Sequence, residues 1–167
     1  MKMKTLLALL FALSTAIPAV AQQSLDVMVD REIASLVSTY KMLHAAPELS
    51  HREEKTSAFF AMQLRALGFT VTEHIGKYDR PGFTGYGVVA VMKNGDGPTV
   101  LVRTDLDGLP VEEKTGLPYA STVKAKNDAG QDVGVMHACG HDIHMTSMIG
   151  TAKVLAQLKD QWHGTLV

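Results

Sequence analysis

Apolar residues at Val29, Ile33, Leu36, Val37, Tyr40 and Leu43 recur every three or four positions, a spacing that predicts one amphipathic helix over residues 25–43, ended by Pro47. Ser50-His51-Arg52-Glu53 has the form of a capping box, in which Ser50 accepts from the Glu53 amide and Glu53 reaches back. A second helix is therefore expected from there to Leu67, closed by Gly68. Over residues 69–75 the pattern changes to strict alternation, which predicts a half-buried strand. Residues 87–92 and 99–102 are continuous Val-rich runs joined by Asn94-Gly95-Asp96-Gly97-Pro98, which predicts a buried hairpin. Residues 112–135 carry charges and glycines with little periodicity, so a long surface excursion is expected. Asp142 then caps a last helix with its apolar face at Met145, Met148, Ile149, Ala152, Leu155 and Leu158. Helices and strands in this order predict an α/β layered domain.

The amino terminus has a different character. Lys2 and Lys4 precede an apolar run over residues 6–13, and Ala19-Val20-Ala21 has the small-x-small form of a signal-peptidase site. The expectation is a signal peptide over residues 1–21 and an exported, periplasmic or secreted chain starting at Gln22. The run is too short to span about 30 Å of hydrocarbon, so no stable membrane anchor is expected. Loss of Lys2 and Lys4 takes the formal charge from −1 to −3. With no basic tract, nucleic acid is not an expected partner. Residues 22–167 suffice for one core, yet Gly164-Thr165-Leu166-Val167 reads as a strand just opening, which predicts a domain that continues past this point.

Composition matters most between Met136 and His144, where the only cysteine, three of the seven histidines and an aspartate fall within nine residues. Sulfur, imidazole and carboxylate together read as a metal site, with Gly140 letting Cys139 and His141 turn toward one ion. The bland alternative is a buried thiol beside solvated histidines. In an oxidising compartment a lone Cys139 is inert and buried, paired between chains, or held by a metal. Asp105 and Asp107 follow a buried strand at its carboxyl end, where α/β folds place functional groups, although both also suit simple turn chemistry. His44 reads as packing and helix termination, and His51, His74 and His163 as solvated surface.

Residues 103–110 and 136–150, with Leu43-His44-Ala45-Ala46-Pro47-Glu48-Leu49-Ser50 before them, resemble the M20 metallopeptidase family. Within it the resemblance is to the amidohydrolase branch of aminoacylases, hippurate hydrolases and auxin-conjugate hydrolases. The resemblance implies an α/β catalytic domain of the zinc-peptidase type over residues 22–167, incomplete here, with the lid or dimerisation domain outside this chain. It implies hydrolysis of the amide bond of N-acyl amino acids or small peptides, and a homodimer for the full-length protein. It further implies two divalent metal ions, zinc or manganese, with Cys139 and His141 as ligands and Asp105 as the catalytic carboxylate that supports them. Asp142 and His144 are then expected to support the ligands from outside the coordination sphere or to cap the helix, His137 to line the site or simply pack, and Asp107 to support the site or the turn. Arg103 stands where many M20 members carry a histidine, which favours the Cys-x-His ligand set. The family's general base comes from a Glu-Glu pair beyond the last strand, so it is not among these residues. Two other classes remain beside this one: a thiol hydrolase with Cys139 as nucleophile, and a metal-binding module without catalysis.

Overall fold

The structure is a computed structural model that describes residues 18–79 and 81–167. The leader expected over residues 1–21 lies, as far as residue 17, outside the described residues. In chain order come α1 (Pro18–Ala45), α2 (Glu54–Ala66), β1 (Thr70–Ile75), β2 (Gly87–Asn94), β3 (Thr99–Val100), β4 (Lys124–Lys126), β5 (Asp132–Gly134), α3 (His141–Gln157) and β6 (Gly164–Leu166). The α/β class is as expected, and so are the positions of the helices.

Strand pairing differs from expectation in one respect. The main sheet has the order β1-β2-β6-β3, so β2 and β3 are not partners. β6 lies between them, antiparallel to β2 with Met92 opposite Leu166 and parallel to β3 with Val100 opposite Leu166. The Asn94–Pro98 connection is therefore a wide turn around an inserted strand. Glycine makes the insertion possible: a Cβ on Gly164 would stand 2.3 Å from the Pro98 carbonyl oxygen, and Gly164 sits at φ 116°, where side chains are disfavoured. The second run is also not buried, because Val100, Leu101 and Val102 are exposed at the sheet edge.

The core forms where α2 and α3 meet the sheet. Leu43, Phe60, Leu64, Phe69, Ala90, Met92, Met145, Ile149 and Ala152 make one buried cluster. The apolar stripe read for α3 supplies three of these, while Met148 packs against the rim. α1 crosses α3 at Gly150, whose missing side chain leaves room for Leu36 at 2.8 Å from where a Cβ would be. Pairing between β2 and β6 ends at Met92, and beyond it β2 and residues 101–107 face each other across a cavity of about 510 Å³. Its walls include Phe60, Leu64, Ala90, Leu106 and Met148, and its polar rim includes Ser50, Glu53 and Asp105.

α2 starts differently from the capping box. Glu53 accepts from the His51 amide, whereas the free amides of the first turn are met by Glu48, which accepts from Lys55 N at 3.2 Å and Thr56 N at 2.7 Å. An anionic carboxylate at a helix amino terminus also answers the helix dipole, which Ser50 could not. The excursion over residues 112–135 contains the small β4–β5 hairpin and is anchored by the buried Ser121 and Val135.

Three distant segments are knitted by isolated bridges. Gly108 N donates to Glu48 O at 2.7 Å, and Leu109 and Met136 exchange amide bonds at 2.8 and 3.0 Å. A Cβ on Gly108 would lie 2.8 Å from Pro47 Cβ and 3.2 Å from Val135 Cγ1. Gly108→Ala is therefore expected to destabilise the protein by about 1–3 kcal/mol through overpacking. Urea unfolding at neutral pH measures it, and an unchanged midpoint would show that the crossing can relax.

Candidate functional site

The bridges bring the three sequence motifs to one place. The Leu49–Gly108 pairing sets the end of α1 beside Asp107, and the Leu109–Met136 pairing sets the cysteine and histidine segment on the other side. His141 opens α3 next to the strand end. Its Nδ1 lies 2.9 Å from the Asp107 carbonyl oxygen and 3.1 Å from Asp107 Oδ1. Both are acceptors, so Nδ1 is the donor to Asp107 and Nε2 is the ring nitrogen left open. That nitrogen faces Asp105 Oδ2 at 3.9 Å. Asp107 thus serves the histidine as well as the turn. Asp105 is more open and is held by a short ion pair to Arg103.

The remaining expected residues separate. Cys139 is exposed, in the turn before α3. His144 is exposed on the first turn of α3, its ring centroid 6.2 Å from that of His141. His137 is buried, and neither ring nitrogen has a hydrogen-bond partner. Burial holds its imidazole below the ordinary value, against the pull of Asp142. Asp142 is 2 % exposed and does not cap α3 in the expected way, since the cap position is Gly140 in a left-handed conformation.

The largest departure from expectation is His44, which is not simple packing. It is buried, with Nδ1 2.6 Å from Asp142 Oδ2 and Nε2 3.1 Å from Glu113 Oε1. The Glu113 side chain is fully buried and also accepts from the Ser121 amide at 2.5 Å and from the Thr115 hydroxyl. Tyr40 and Tyr119 flank the His44 ring, each at 5.5 Å between centroids. Burial pulls the His44 imidazole down, but the bonds to Asp142 and Glu113 outweigh it and hold it above the ordinary value. Burial likewise favours a neutral Glu113, yet Thr115, Ser121 and His44 together keep its carboxyl below the usual range. Tyr40 is raised by burial and then by Asp142. Sequence reasoning missed Glu113 altogether, because nothing local marks it among the charges of its loop. His51, expected on the surface, is half-buried with its ring edge-on to Tyr78 and Phe83, while His74 and His163 are exposed as expected.

The expected pair of divalent ions does not fit this arrangement. Among the described residues no group of three or more His, Cys, Asp and Glu side chains is placed to hold a metal ion. The reason is visible in the donor set: His141 Nε2 has only Asp105 Oδ2 facing it, Asp105 Oδ1 is held by Arg103, and Cys139 is out at the surface, so no third donor among the described residues joins them. Zinc or manganese binding by Cys139 and His141, and the two-ion site with it, are accordingly withdrawn. No helix among the described residues is long and apolar enough to cross a membrane.

Comparison with known proteins gives a consistent set of likenesses. The model of peptidase family M20/M25/M40 matches residues 101–167. YhaA of Bacillus subtilis is 37 % identical over 147 residues, which is 87 % of this chain and 33 % of that protein. The N-acetyl-L-cysteine deacetylase of the same organism is 38 % identical over 132 residues, 78 % of this chain and 28 % of the enzyme. Among solved structures, the B. subtilis YXEP protein, a dinuclear metal-binding peptidase from the M20 family, superposes with a TM-score of 0.63. It is 34 % identical over 84 % of this chain and 34 % of its own. The chain thus spans about a third of the length of the relatives it matches.

A buried carboxylate whose folded pKa is depressed contributes stability that is present above its unfolded value and lost as pH falls through the folded one. The Glu113 carboxyl is held below its ordinary value, so its contribution should be present at neutral pH and fade in acid as pH falls through that lowered value. Urea midpoints recorded from neutral pH into acid should therefore drop less steeply for Glu113→Gln than for the parent. Parallel curves would place the acid sensitivity elsewhere.

Proposed function

We propose that this chain, which belongs to peptidase family M20 and is homologous to its amidohydrolase branch, is part of a hydrolase for the amide bond of N-acyl amino acids or small peptides. The observation that carries this reading is the His141–Asp107 pair at the carboxyl end of the β3 segment. There one ring nitrogen is tied down and the other is left bare beside Asp105. Asp107 fixes the tautomer and direction of the imidazole, so the Nε2 lone pair is presented without a reorganisation cost. Asp105 adds a negative charge that favours a positive or proton-donating group approaching Nε2. Amide hydrolysis needs a proton taken from water and one delivered to the departing amine, and an oriented imidazole beside a carboxylate suits both transfers.

An exposed thiol two residues before His141 supports a second reading, a thiol hydrolase that acylates Cys139. The two routes differ in chemistry. Attack by the thiolate forms a thioester at Cys139 as the amine leaves, and hydroxylamine intercepts it as a hydroxamate; direct attack by water leaves nothing to trap. Export of the protein is proposed from Lys2, Lys4, the apolar residues 6–13 and Ala19-Val20-Ala21. Mass spectrometry of the protein recovered from its native host should then find Gln22 at the amino terminus. An intact Met1 or Lys2 would overturn export by this signal.

In the full-length protein, release of free amino acid from a panel of N-acetyl amino acids and dipeptides tests the function. Asp107→Ala should lower kcat by about 10²-fold by unfixing His141, and Asp105→Asn should lower it with KM little changed. No turnover of any panel member would overturn the hydrolase reading, and full activity in both variants would overturn the site.

A further inference from the structure

We propose that His44 is a positioning residue: a doubly protonated imidazolium that clamps Asp142 to Glu113 and so fixes the first turn of α3, with His141 on it, against the segment carrying Asp105 and Asp107. The kinetic part of this proposal rests on the amide-hydrolase reading, while the protonation part stands without it.

The protonation state follows from the partners. A neutral imidazole has one N–H and one bare nitrogen, yet both His44 nitrogens face carboxylate oxygens, at 2.6 and 3.1 Å. A bare nitrogen against a carboxylate would set two lone pairs face to face in a site closed to water. The Ile143 amide on Asp142 and the Ser121 amide and Thr115 hydroxyl on Glu113 favour ionised carboxylates, so both nitrogens donate and the ring is a cation between two anions. The other carboxylate oxygens are also engaged. Asp142 Oδ1 accepts from the Ile143 amide at 2.9 Å, and Glu113 Oε2 accepts from the Ser121 amide. A network in which every member is satisfied is stiff, and removal of its one cation leaves two buried anions without a counter-charge.

The clamp spans the parts of the chain that must meet. His44 lies 98 residues from Asp142 and 69 from Glu113, in the last turn of α1, the second position of α3 and the loop after Pro110. Asp142 directly follows His141, so a shift of the Asp142 carboxylate moves the backbone that aims the neighbouring ring. Ser121 passes the restraint on, since its hydroxyl donates to Val135 O at 2.7 Å, just before the cysteine segment. The groups facing His44 are Tyr40 of α1, Glu113 and Tyr119 of the loop, Asp142 of α3 and the buried His137. Lys41 stands over the Tyr119 ring rather than on either carboxylate. His44 is thus the cation closest to both acids.

The test uses the full-length protein. In ¹⁵N-histidine NMR, His44 should keep both nitrogens protonated well above the ordinary imidazole value of about 6.5. A neutral tautomer at neutral pH would overturn the imidazolium. With N-acetyl-L-methionine as substrate, His44→Gln should lower kcat by about tenfold or more with KM little changed. Adding Glu113→Gln should recover part of the loss, because a neutral amide no longer needs the cation. Parent-like kcat in a less stable His44→Gln would overturn positioning and leave a purely structural tie. Should His44→Gln not fold, recovery of a folded, active protein in the double variant still supports the clamp, and its failure to recover overturns it. Should the parent show no amidase activity, the function reading fails while the NMR result still decides for or against the imidazolium.

Discussion

Gly108 is the point on which the rest of the site depends. Its amide is bonded to Glu48 O, and the space where a side chain would be is taken by Pro47 and Val135. Three segments that are far apart in sequence therefore cross at a residue without a side chain. Everything chemically interesting lies within a few residues of that crossing: His44 and Glu48 on the first segment, Asp105 and Asp107 on the second, His137 to Asp142 on the third. Few backbone bonds are involved, yet Gly108 itself is buried, so loss of its amide bond would leave a desolvated donor unpaired.

The charged network has a different energetic character. A buried ion pair returns little net stability, because desolvation of the ions consumes the attraction, but removal of one partner typically costs about 3–5 kcal/mol. His44, Asp142 and Glu113 therefore make the fold exacting more than they make it stable. Their carboxylates sit on a helix start and on a loop. The two devices act on different variables, since Gly108 sets the distance between segments and the His44 clamp sets the angle at which α3 begins.

Much of the fold was legible because it is written in local periodicity. The α3 stripe, the β1 alternation and the β2 run correspond to elements, since a buried face imposes its own spacing on the residues that form it, whereas α1 forms as a helix with Leu36, Tyr40 and Leu43 covered and Val29, Ile33 and Val37 exposed. The β2–β3 hairpin was misread for a physical reason. A turn rich in glycine and a Val-rich strand on each side look the same whether the strands pair directly or accept a third between them, and that choice is made at Gly164, far along the chain from β2. The start of α2 was misread likewise, because Glu48 and Ser50 both lie near enough to serve the first turn and only the three-dimensional path places the carboxylate there.

The site was legible as a set of residue types and illegible as a set of partners. The density of histidine, cysteine and aspartate around residue 140 marked the right segment, and Asp105 and Asp107 marked the strand end that it meets. What each donor does was decided by neighbours no local pattern reveals. His141 presents one ring nitrogen because Asp107 occupies the other through both its carbonyl and its carboxylate. Asp105 is shared between neighbours, with one carboxylate oxygen on Arg103 and the other facing His141 Nε2. His44 shows the same logic in reverse: a histidine at the end of an amphipathic helix reads as packing until two carboxylates from distant segments arrive at its two nitrogens.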